Sequence, residues 1–126
     1  GIKLHEKAIF VLKELSRLNK QFILLTNAPR PTDIVKIQLE KMGGEVVYFG
    51  KPYAEVYNQS IDNRNKKILS IGDNLNTDIK GANLLNYDSL LISNGVHRNE
   101  IMDLGIEQIA KEYETVVNYI QSDLKW

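Results

Sequence analysis

Cysteine is missing from the 126 residues, which excludes disulfides and thiolate metal sites and leaves nothing that points to an oxidising compartment. Net charge is missing too. Sixteen basic and sixteen acidic side chains cancel, so no whole-molecule field draws the chain to nucleic acid or to an anionic membrane. No apolar run comes near the roughly twenty residues that a membrane span needs, and the N-terminus has no apolar signal-peptide core. Cytoplasmic residence is the default expectation. The two histidines, His5 and His97, stand isolated, without a carboxylate or cysteine partner at metal-ligand spacing, and are read as surface or hydrogen-bonding residues. No Ser-His-Asp set can be assembled. The segment "GGEVVYFG" lacks the G-x-G-x-x-G spacing of a dinucleotide fingerprint. Repeats, low-complexity stretches and linkers are absent, so residues 1–126 are expected to form a single domain.

What is present is a folded, soluble composition, 43% apolar and 25% charged. Leu4, Ala8, Val11, Leu12, Leu15 and Leu18 recur at helical spacing, and the buried-strand run "KQFILLTN" follows. A second helix is expected over Ile34 to Met42, stopped by Gly43-Gly44, and "EVVYF" is the next strand. Lys51-Pro52 breaks that strand. "YAEVYNQSID" reads as a helix, "KKILSIG" as a third strand, "DIKGANLLN" as a helix and "DSLLISNG" as a fourth strand with its loop. Ile106, Ile109, Tyr113, Val116, Val117, Ile120 and Leu124 trace a long amphipathic helix to the C-terminus. The tyrosines at 53, 57, 113 and 119 are read as half-buried packing residues. Short continuous apolar strands alternating with helices imply βαβ units, a mainly parallel sheet and an α/β class.

Ligands of such sheets bind beyond the carboxyl ends of the strands. The residues placed there are Thr26 and Asn27, then Lys51, then Asp73, Asn74 and Asp78, then Ser93, Asn94 and Gly95. A hydroxyl, an amide, a cation and two carboxylates on one edge are what phosphoryl chemistry with Mg²⁺ requires. The ion takes hard oxygen ligands such as Asp73, while Lys51 and Thr26 meet a phosphate. Each residue also has a plainer use. Thr26-Asn27 suits a turn, Lys51 a solvated loop and Asp73 a turn tip, and Asp78 suits a helix N-cap worth about 1 kcal/mol.

"FILLTNAPRP", "YFGKPY" and "ILSIGDNLNTDIKGAN" resemble, in this order, the second, third and fourth motifs of the haloacid dehalogenase (HAD) superfamily of phosphatases, and within it the NagD-like subfamily IIA. The resemblance covers nearly the whole chain. It implies a Rossmann-like three-layer sandwich and phosphomonoester hydrolysis through an aspartyl-phosphate. It further implies that Asp73 is a Mg²⁺ ligand and that Asp78 and Asn74 stand behind it. Thr26 and Asn27 would then bind phosphate, and Lys51 would orient the nucleophile. The substrate class would be a small phosphorylated metabolite.

Two family features have no counterpart. The first central strand with its nucleophilic aspartate would precede Gly1, and Asp33, Asp62, Asp88, Asp103 and Asp123 fall in helices or loops that cannot replace it. The substrate-gating cap between motifs two and three is reduced to "EKMGGE". The expectation is a capless HAD-like hydrolase domain without its nucleophile, inactive or incomplete by itself. The alternative is a non-catalytic interaction domain that self-associates through open strand edges. A receiver-like signalling domain is a third reading, disfavoured because no first-strand acidic pair is present.

Overall fold

The helix expected near the N-terminus is α1 (Glu6–Arg17) in the computed structural model, which describes residues 6–26, 37, 40–48 and 67–126. The chain divides into two compact units, residues 1–50 with 124–126, and residues 51–123. In the first unit, α1 buries Val11 and Leu12 on one face and carries an exposed Arg17–Glu14 ion pair of 2.7 Å on another. Its end is built without glycine. Asn19 takes a left-handed φ of 56°, its N–H donates to Ser16 O, and Lys20 N–H donates to Leu15 O, the paired bonds of a Schellman turn.

Strands β1 (Phe22–Thr26) and β2 (Gly44–Tyr48) follow and pair in parallel, from Phe22 opposite Gly44 to Thr26 opposite Tyr48. A side chain at Gly44 would run into the Phe22 ring, which explains a strand that opens on glycine. Most of the helix expected over residues 34–42, and all of that expected over 53–62 with Tyr53 and Tyr57, lie outside the described residues.

The second unit is a three-stranded sheet of β3 (Leu69–Gly72), β4 (Asp88–Ile92) and β5 (Tyr119–Gln121), all parallel, with β4 in the centre. Helical segments link them. A π-helical turn over Leu75–Ile79 runs into α2 (Lys80–Leu84), and α3 (Arg98–Leu104) and α4 (Ile106–Glu112) connect β4 to β5. The apolar run of β4 is buried because neighbours pair on both its edges. Leu91 joins Leu75, Ile79 and Ile109 in a cluster with no exposed surface, and Ile101, Ile106, Tyr113 and Val117 pack around it. Parallel strands and helices of this kind make the chain α/β, as expected.

The C-terminal expectation needs correction. No helix runs from Ile106 to Leu124: α4 stops at Glu112, and Tyr119, Ile120 and Gln121 form β5, with Tyr119 exposed rather than half-buried. The cause is a second kind of bonding that outcompetes helical periodicity. Glu114 takes φ 54°, and the N–H groups of Glu114 and Thr115 donate to Lys111 O and Ala110 O, so the chain reverses. Beyond the reversal, Asn83 grips Val116 on both sides: its amide Nδ2 donates to Val116 O at 2.9 Å while its Oδ1 accepts from Val116 N at 2.8 Å. Buried Ser89 then exchanges hydrogen bonds with Asn118, delivering the chain to the β4 edge. Asn86 closes α2 with the same left-handed turn.

A glutamate in left-handed φ is strained in a way that an asparagine or glycine is not. Glu114 is solvent-exposed. Glu114→Gly is therefore expected to raise unfolding free energy by about 0.5–1 kcal/mol, read from urea denaturation, with the added backbone entropy of glycine offsetting part of the relieved strain.

Candidate functional site

The turn after β3 carries the two carboxylates. Gly72 ends the strand, Asp73 follows it, and Asn74 in extended conformation caps the π-helical turn, its Oδ1 accepting from Asn76 N at 2.9 Å. The turn is wide because Ile79 N–H reaches back to Asn74 O at 3.2 Å, alongside Asp78 N–H at 2.9 Å. Asp78 is thus not the N-cap that its position suggests. It lies inside the turn, 6% exposed, and its Oδ2 accepts from Asn74 N at 3.2 Å. Its carboxyl sits so close to Gly72 that a Cβ there would overlap it.

Asp73 is held from the other side. Ser93 N–H and Asn94 N–H donate to Gln121 O and Ser122 O, extending the β4–β5 ladder into the loop after β4. That loop presents Val96 N–H to Asp73 Oδ2 at 3.2 Å, and a Cβ at Gly95 would overlap the Asp73 side chain. Both glycines serve the same purpose, close approach of backbone to a carboxylate. No hydrogen bond to Asp73 Oδ1 is found among the described residues, so this oxygen can meet a cation.

His97 is not isolated. It is 6% exposed, its Nε2 accepts from Leu75 N at 3.0 Å, and its Nδ1 lies 3.0 Å from Glu100 Oε1. An Nε2 that accepts must be unprotonated, so the proton belongs on Nδ1, where it is donated to Glu100. Tyr113 stacks edge-on to the imidazole with centroids 4.8 Å apart and donates its hydroxyl to Glu100 Oε2 at 3.0 Å. Hydrogen bonds from His97 and then Tyr113 hold the Glu100 carboxyl below its ordinary 4.5, against the effect of burial. The Tyr113 phenol is pushed up by its hydrogen bond to Glu100, then by burial and by the charges of Glu100 and Glu112.

The linkage follows from those directions. A depressed carboxylate stabilises the fold above its unfolded value, and that contribution disappears as pH falls through the folded value; a raised phenol stabilises below about 10 and loses its contribution as pH rises. Glu100→Gln is expected to be less stable than the wild type at neutral pH. The gap between their urea midpoints should close as the solution is acidified below 4.5.

Of the residues singled out by sequence, the structure brings Asp73, Asn74 and Asp78 together on one turn. Thr26 ends β1 in the other unit, its side chain outside the described part, and Asn27 and Lys51 lie outside the described residues. Asp88 opens β4 instead of lying in a loop or helix, yet it does not follow a strand. His97, Glu100 and the Val96 amide were not foreseen as parts of the site. Glu100, one helical turn after His97, was the available signal.

Among the described residues no three histidine or acidic side chains converge as a metal cluster, and no helix is long and apolar enough to cross a membrane. Mg²⁺ does not need such a cluster. It commonly takes one or two carboxylates and completes its shell with water and phosphate oxygens, so an Asp73 with one oxygen uncommitted among the described residues fits it.

Residues 48–122 match the family described as HAD-hydrolase-like. A solved structure, a hydrolase of the haloacid dehalogenase-like family from Brucella suis 1330, is 28% identical to this chain, with a TM-score of 0.34. That match covers 76% of this chain and 42% of the other, so the chain spans less than half the length of that relative. No curated protein matches. With the family match extending over more than half of its length, the chain belongs to the HAD-hydrolase-like family.

Proposed function

We propose that this chain provides the magnesium side of a HAD-type phosphomonoesterase site acting on small phosphorylated metabolites. The observation that carries this reading is Asp73 itself, a strand-end carboxylate whose Oδ2 is fixed by Val96 N–H and whose Oδ1 has no hydrogen bond among the described residues. Asp73 would ligate Mg²⁺, with Asn74 and buried Asp78 fixing the turn behind it. When bound, Mg²⁺ offsets the negative charge of a phosphate ester and orients it. Thr26 and Asn27 after β1 and Lys51 after β2 are assigned to the phosphate, as strand-end hydroxyl, amide and cation. The NagD-like assignment, and residence in the cytoplasm, belong to the same proposal.

Among the described residues Asp73 is the one aspartate that directly follows a strand, and the metal role occupies it. No nucleophile is therefore assigned among the described residues. Titration calorimetry should show Mg²⁺ binding to the wild type and none to Asp73→Asn, with phosphate release from an aryl phosphate staying at background. Absence of Mg²⁺ binding to the wild type overturns the magnesium reading. Mg²⁺-dependent release that Asp73→Asn abolishes overturns the assignment of no nucleophile.

A second reading, self-association without catalysis, draws support from β3. Among the described residues this strand pairs only with β4, and its Leu69 and Ile71 are exposed. Sedimentation of a monomer across micromolar concentrations would eliminate that reading.

A further inference from the structure

We propose that His97 is a positioning residue for the Asp73 turn, acting with Val96 as a two-point clamp that fixes the carboxylate for its cation. The proposal rests on the magnesium reading above and deepens it. Val96 and His97 are consecutive, and they hold the turn by opposite polarities. Val96 gives an N–H to the Asp73 side chain, and His97 takes the N–H of Leu75, across 22 residues of sequence. Residues 73 to 75 are thereby pinned at both ends, once through a side chain and once through the backbone.

Three observations separate this from ordinary core packing. The imidazole is buried, yet the partner of its Nε2 is a backbone amide at the start of a helical turn, a donor with no partner inside the helix. Its other nitrogen is committed to Glu100, and Glu100 to Tyr113, so the tautomer that leaves Nε2 an acceptor is locked by a chain of hydrogen bonds. The loop that carries His97 comes so close to Asp73 that Gly95 has no room for a Cβ. A shift of His97 is therefore passed to Val96 and to the Asp73 carboxylate within two residues.

The substitutions that test this differ in whether an acceptor remains. Glutamine can place its Oε1 near the position of Nε2; leucine fills the volume without any acceptor. Mg²⁺ titration of the full chain is expected to show His97→Leu weakened about tenfold or more, the scale of lost hydrogen-bond support behind a metal ligand, and His97→Gln within about twofold of wild type. Amide exchange read by NMR should show Leu75 and Val96 protected in the wild type and in His97→Gln, and about tenfold faster in His97→Leu. A leucine variant that loses thermal stability but keeps Mg²⁺ affinity and Val96 protection would reduce His97 to a structural residue and overturn the clamp. Failure of glutamine to restore either readout overturns it as well. If the wild type binds no Mg²⁺, the magnesium reading fails by itself, and unchanged Leu75 and Val96 exchange in His97→Leu would show separately that the clamp fails too.

Discussion

Gly95→Ala is expected to lower Mg²⁺ affinity by about tenfold or more while leaving the sheet folded. The backbone of Gly95 is not in a left-handed conformation, so alanine meets no dihedral penalty there. The obstacle is steric: the new methyl would overlap both the Cβ and the Oδ2 of Asp73. A Cβ is tied to its own backbone and cannot swing away as the tip of a long side chain can. Either the loop of Ser93 to Val96 retreats, or Asp73 leaves the Val96 amide, and in both cases the carboxylate loses the anchor that aims Oδ1. Support lost behind a metal ligand typically costs 10- to 100-fold in affinity. Calorimetric titration beside a circular-dichroism melt checks both halves of the expectation. An alanine variant binding Mg²⁺ like the wild type would mean that the approach of Gly95 to Asp73 is incidental.

Leu91→Ala carries the largest expected effect on stability, a loss of about 3 kcal/mol within the 2–5 kcal/mol range of buried leucine truncations. Leu91 has no exposed surface, lies on the central strand of its sheet and touches the cluster of Leu75, Ile79 and Ile109. Paired β4 cannot move sideways to fill the void, so little of the cavity should collapse. Against a total stability of roughly 5–15 kcal/mol for an ordinary domain, that is a large fraction. Leu84→Ala supplies the comparison, since Leu84 is 63% exposed and should change stability by less than about 0.5 kcal/mol. Urea denaturation followed by far-ultraviolet circular dichroism measures both. Similar losses for the two leucines would place the core elsewhere.

The two substitutions act on parts of the molecule that were legible to different degrees in the sequence. Strands β1 to β4 were readable because each is a short continuous apolar run closed by a polar or glycine turn. Asp73 was readable for the same reason: a carboxylate directly after such a run has its position fixed by the strand. Asp78 was placed in the right region, and of its two readings the plainer one, a helix N-cap, does not hold. The capping residue is Asn74, because the turn widens into π-helical bonding and starts before the regular helix that the apolar spacing indicates. The C-terminal segment failed for a related reason. Tyr113, Val116, Val117 and Ile120 keep a helical spacing, but the chain reverses at Glu114, a residue type that gives no sign of a left-handed turn. His97 escaped because its decisive partner is a backbone amide. Spacing between side-chain types cannot reveal a bond to Leu75 N–H, and only the folded loop brings the two together.

The successive amides of Asn74, Leu75 and Asn76 each already have an acceptor, in Asp78, His97 and the Asn74 side chain respectively. The start of a helical segment ordinarily offers such donors to a bound anion. Here these donors are turned to internal duties, and the half-buried Asp73 lies beside them. This turn by itself therefore offers an anion no free amide among residues 74–76. Were Mg²⁺ held at Asp73 as proposed, it would supply the positive charge that this turn, with its donors committed to Asp78, His97 and the Asn74 side chain, does not.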